Sequence, residues 1–168
     1  MPKVRIGDLD MYYEEAGEGP PLVLLHGLGA SLEDWEYQVP DLSKYFRVIT
    51  PDLRGFGRSA RGSLAASIPC FARDVAGLLE HLGVREFFLM GYSMGGATAL
   101  QLTLDNPKAV TRLIIANSVP TFRPQTLRQH VEVWYRMVVM SLLGPVRLAR
   151  ISAMRMFPHQ PEVRERNI

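Results

Sequence analysis

The chain has 168 residues, 47% hydrophobic and 21% charged, with a net charge of +2 at pH 7. That length carries one domain with a sizeable core, and the small net charge does not suggest a nucleic-acid binder. A single cysteine, Cys70, excludes an internal disulfide and a thiolate metal cluster.

The opening, MPKVRIGDLD, lacks the apolar core of a signal peptide, and the longest late apolar run, from Met137, is far below a membrane span. Cytoplasmic location without membrane or nucleic-acid partners is the expectation. Lys3 to Ile6 and Met11 to Glu15 read as an entry hairpin around a Gly7-Asp8 turn. Leu22 to Leu25 (LVLL) is apolar without alternation, as for a central strand covered on both faces. Ser31 with Asp34 resembles a capping box, which predicts a helix from about Leu32 to Tyr45. Arg47 to Thr50 is the next strand and runs into the long loop PDLRGFGRSARG. A helix over roughly Pro69 to Leu82 carries Phe71, Val75, Leu78, Leu79 and Leu82 on one face, and Gly83 stops it. Glu86 to Met90 is a strand, Gly95 to Asp105 a helix ended by Asn106-Pro107, and Thr111 to Ala116 a strand. Alternating strands and helices of these lengths predict an α/β fold, a doubly wound and mostly parallel sheet.

After Asn117 the pattern changes. Gln125 to Phe157 reads as mostly helical, broken at Gly144-Pro145. Residues 122–168 hold eight arginines against three glutamates. The expected division is 1–119 for the sheet and 120–168 for a separate helical part.

Two motifs carry chemistry. Gly91-Tyr92-Ser93-Met94-Gly95 is G-x-S-x-G between a predicted strand and a predicted helix, the context of a nucleophile elbow. Small residues at Gly91 and Gly95 let the chain reverse sharply and leave Ser93 strained above the sheet. The helix start supplies free N–H groups and a positive dipole end. Upstream, His26-Gly27-Leu28-Gly29 follows the LVLL strand. Acyl transfer needs two preorganised donors for the oxyanion, and the N–H groups of Leu28 and Met94 are the candidates. The flanking Gly27 and Gly29 let that backbone come close. His26 is read as a loop anchor rather than a proton carrier.

HGLG at 26–29, DLRGFGRS at 52–59 and GYSMGG at 91–96 together resemble the N-terminal part of the α/β-hydrolase family, of the serine esterase, enol-lactonase and carbon–carbon bond hydrolase type. The resemblance implies a doubly wound sheet with a helical cap inserted after the strand ending near Ala116, and residues from about 120 resemble the start of that cap. It implies a small-molecule acyl substrate attacked by Ser93, with no cofactor or metal. Relatives with aspartate at the elbow are dehalogenases or epoxide hydrolases, and Ser93 argues against both. Within DLRGFGRS, Asp52 and Arg54 are expected to fix the loop.

In this family the order is Ser, then Asp or Glu, then His, with the acid and histidine usually beyond the cap. Only 75 residues follow Ser93, so the chain resembles a member that stops inside its cap. His81 is expected at the wrong end of its helix, His130 and His159 lie in the cap region, and Asn117-Ser118 offers no carboxylate where some members carry the acid. No base or acid is assigned, which leaves open a non-catalytic remnant or ligand-binding module. Trp134, Tyr135 and Met137 either line an apolar acyl pocket or fill the core of the cap helices, the plainer reading. The last strand is expected to be an exposed apolar edge, with a homodimer through that edge or the cap.

Overall fold

The computed structural model describes residues 3–119, 126–135 and 138. Two compact units, Met1–Thr121 and Phe122–Ile168, divide the chain.

The first unit is a six-stranded sheet in the order β1-β2-β4-β3-β5-β6. β1 (Lys3–Ile6) and β2 (Leu9–Ala16) form the entry hairpin. β2 pairs antiparallel with β4 (Arg47–Pro51), and from there the sheet is parallel: β4 with β3 (Pro21–Leu25), β3 with β5 (Phe87–Tyr92), and β5 with β6 (Val110–Ala116). The order reverses between β4 and β5, so the loops after β3 and β5 open at a switch point of the sheet.

The apolar run of β3 is explained by its neighbours. Leu22 and Leu24 join Trp35 and Val48 in one cluster, while Val23 and Leu25 join the helices α2 (Ile68–His81) and α3 (Met94–Asp105) in the other. Successive side chains on a strand point to opposite faces, so a strand buried on both shows no alternation. Cys70 is buried on α2, as a small hydrophobe would be.

The helix expected over Leu32 to Tyr45 is not continuous. Leu32–Trp35 is a 3-10 helix, and a single short helix, α1 (Val39–Leu42), follows. Leu32 and Trp35 are both buried three residues apart, which suits the tighter period, and Pro40 has no N–H to carry an α-helical ladder back to Glu36. Nor is Ser31 half of a reciprocal box. Its hydroxyl takes the Glu33 N–H at 3.3 Å, while the Asp34 carboxyl faces the Gly27 N–H.

β6 lies at one end of the strand order, and Ile114 (55% exposed) and Ile115 (39%) are open to solvent. In the second unit residues 127–135 are helical, with Leu127, Val131 and Trp134 exposed at helical spacing along one face. Apart from Val138, the rest of the stretch expected to be helical, Met137 included, and His159 beyond it lie outside the described residues. Among the described residues no helix is long and apolar enough to cross a membrane.

Candidate active site

Ser93 stands between the end of β5 and the first residue of α3, with φ 52° and ψ −116°. A non-glycine residue there holds backbone strain of about 1–3 kcal/mol, tolerated only when its surroundings over-determine it. They do. A Cβ on Gly91 would sit 2.3 Å from the Gly95 carbonyl oxygen, and one on Gly95 would sit 2.2 Å from that of Leu25. Both separations are far inside contact distance, so only glycine lets β5, α3 and the end of β3 meet at this corner. The Ser93 side chain is half-buried, and its hydroxyl makes no hydrogen bond among the described residues.

The loop after β3 lies against this corner. A Cβ built on Gly27 would be 3.5 Å from Ser93 Cβ and 3.2 Å from the Tyr92 ring. Gly29 takes φ +77°, a turn that exposes the Leu28 side chain. Among the described residues neither the Leu28 nor the Met94 N–H is taken up by a hydrogen bond. Met94, first in its helix, could not have an intrahelical partner.

His26 is fully buried, and its ring holds this loop. The Leu53 N–H donates to Nε2 at 3.0 Å, so Nε2 carries no proton. Nδ1–H therefore donates to the Gly27 carbonyl at 2.8 Å. That carbonyl and the Leu28 N–H belong to one trans peptide unit and point in opposite directions. Gripping the oxygen fixes where the N–H aims. Burial lowers the imidazole pKa, and the neutral ring is the form these two bonds require. The Asp34 carboxyl faces His26 and the Gly27 N–H, and its pKa is raised by partial burial.

The DLRGFGRS loop supplies the frame. Asp52, 1% exposed, accepts the Leu32 and Arg58 N–H groups at 2.8 Å each. Arg54, 2% exposed, is bidentate to Asp74 at 2.8 and 2.8 Å and to Asp8 at 2.8 and 3.0 Å. These polar groups are occupied by protein partners, as expected of loop-fixing residues.

Within the first unit, His81 is not brought to this corner. His81 ends α2, ahead of the start of β5, whereas Ser93 follows its end. His130 and Trp134, Tyr135 belong to the second unit, where Nδ1 of His130 pairs with the Thr126 carbonyl at 3.0 Å. One contributor escaped the sequence reading. Ser118 Oγ donates to the Ser93 carbonyl at 2.6 Å. Nothing local marks Ser118; the contact exists because β5 and β6 run parallel and end together.

The model of the alpha/beta hydrolase fold family matches residues 20–159. The chain belongs to that family. It is 40% identical over 118 residues to the soluble epoxide hydrolase of Corynebacterium sp. (strain C12), covering 70% of this chain and 41% of that protein. Among solved structures, an esterase from Thermogutta terrifontis superposes with a TM-score of 0.83 at 30% identity, covering 99% of this chain and 65% of that one. The enol-lactonase from Burkholderia xenovorans LB400 gives 0.84 at 29%, covering 98% and 65%. The chain spans about half the length of the curated relatives it matches. The glycine-flanked corner at Ser93 and the HGLG loop both fall inside the matched region.

Proposed function

We propose that this α/β-hydrolase chain is part of a serine hydrolase of small esters, lactones or activated carbon–carbon bonds. Ser93 Oγ attacks the substrate carbonyl carbon while a base takes its proton, and the carbonyl oxygen becomes an oxyanion held by the Leu28 and Met94 N–H groups. The leaving group departs protonated, and water releases the acid from Ser93. Gly27, Gly29, Gly91 and Gly95 shape the corner, and His26 orients the Leu28 donor. The observation that carries this reading is the strained Ser93, whose hydroxyl, like the Leu28 and Met94 N–H groups of the adjoining loop and helix start, is uncommitted among the described residues.

The base and its acid are not among the residues assigned here. His26 is committed on both ring nitrogens. For this reason the second reading is a ligand-binding module of the same fold, which keeps the corner without turnover. A fluorophosphonate probe and p-nitrophenyl acetate separate the two. Covalent labelling of Ser93, lost in Ser93→Ala, with ester turnover supports the hydrolase. An unlabelled chain with its circular dichroism intact supports the binding module. A cytoplasmic setting, a small acyl substrate and a second copy paired through the β6 edge complete the proposal.

A further inference from the structure

The backbone of Ser93 is held by the end of β6. Its N–H donates to the Ala116 carbonyl at 3.0 Å, and its own carbonyl accepts Ser118 Oγ at 2.6 Å beside the helix donors Gly96 and Ala97 at 3.0 and 3.2 Å. Between Ala116 and Ser118 the chain turns through Asn117 at φ 48°, a left-handed conformation that brings Ser118 back over the elbow. Ser118 packs closely there: a Cβ on Gly96 would be 2.5 Å from Ser118 Cβ.

The Ser93 carbonyl and the Met94 N–H are two ends of one trans peptide unit. A donor on the oxygen therefore sets the direction of the N–H and polarises it, because hydrogen bonds in series strengthen one another. The Leu28 unit is arranged alike, with His26 Nδ1–H on the Gly27 carbonyl. Each candidate oxyanion donor thus belongs to a peptide whose oxygen is gripped by a side chain.

We propose that Ser118 is a positioning residue for the candidate nucleophile: through the Ser93 carbonyl it orients and polarises the Met94 N–H and sets where the Ser93 side chain stands over the start of α3. This rests on reading Ser93 as the nucleophile. Gly96 and Ala97 still serve the carbonyl when the hydroxyl is removed, so the fold survives while the alignment loosens.

The test compares wild type with Ser118→Ala, Ser118→Thr and Ser118→Val. Thr and Val share a shape and differ in the hydroxyl, so they decide the matter even if Ser118→Ala does not fold. The second-order rate of fluorophosphonate labelling is expected to fall about tenfold in Ala and Val and to recover in Thr, with thermal midpoints alike in Thr and Val; tenfold is a modest fraction of the loss when a whole oxyanion donor is removed. A second arm needs no catalytic base. Ser93→Cys in a Cys70→Ala background leaves one thiol, whose thiolate is favoured by the α3 N-terminus and the Met94 N–H. The midpoint of its iodoacetamide pH–rate profile is expected to move upward with Ser118→Ala or Val and to return with Thr. Thiol pH–rate midpoints that coincide across Thr and Val overturn the role of Ser118. A wild type that never labels, with a thiol midpoint that does move, overturns the hydrolase reading and leaves the positioning role standing.

Discussion

The imidazole of His26 accepts the Leu53 N–H at 3.0 Å on one side and donates to the Gly27 carbonyl at 2.8 Å on the other. One buried neutral ring thus ties the strand-end loop that bears the candidate oxyanion donor to the loop after β4. With both ring nitrogens engaged, the loop anchor has none left to act as a general base.

That arrangement gives a pH dependence. The folded pKa of His26 is lowered by burial from the ordinary value near 6.5, so below that value the unfolded chain binds more protons. Its contribution is full above about pH 6.5 and is lost as pH falls through the folded pKa. Urea midpoints should decline between about pH 7 and 5, and His26→Gln should remove that decline while lowering stability at pH 8. A wild-type profile flat across that interval contradicts the locked ring.

The guanidinium of Arg54, clamped by Asp74 and Asp8, is a buried charge with its partners in place. Arg54→Ala leaves the Asp74 carboxylate buried and unpaired, and should cost about 3–5 kcal/mol by chemical denaturation. Asp8 is held well below the usual carboxylate range by Arg54 first, then by Ser63. Its stabilisation is present above about pH 4 and is lost as acid is added. Asp8→Asn should therefore flatten the acid limb of the stability curve, and an unchanged limb would exclude that assignment.

Gly95→Ala tests the corner itself. The added methyl would meet the Leu25 and His26 carbonyl oxygens at 2.2 and 2.5 Å, all backbone atoms without room to yield. A loss of about 1–3 kcal/mol is expected from such overpacking, together with loss of Ser93 labelling. A variant with wild-type stability and labelling would mean that the three elements do not meet as described.

The proposed pairing through β6 is a question of mass. β6 pairs with β5 on one side, and Ile114 and Ile115 are exposed. Such an edge attracts another strand. Sedimentation velocity should find a dimer at tens of micromolar, converted to monomer by Ile114→Lys. A wild type that stays monomeric rules the pairing out.

Much of the first unit was legible in residue order because its signals are local. Strand-length apolar runs, helices with one apolar stripe, and Gly91 and Gly95 two places either side of Ser93 each express a constraint acting within a few residues. The stretch from Leu32 to Tyr45 misled because its polar and apolar spacing suits a helix, while the burial of Leu32 and Trp35 three residues apart and the missing N–H of Pro40 divide it into a 3-10 turn and a short helix.

By itself, the sequence determined the alternation of strands and helices, the sharp corner at Ser93 and the loop expected to face it, since glycine placement and hydrophobic period are properties of the chain alone. Only the tertiary structure decided that His26 is a neutral bracket and that Ser118 reaches the Ser93 carbonyl. Those roles depend on which donors and acceptors from distant segments arrive at the same few ångströms, and residues far apart in sequence become hydrogen-bond partners only when the sheet brings the ends of its strands together.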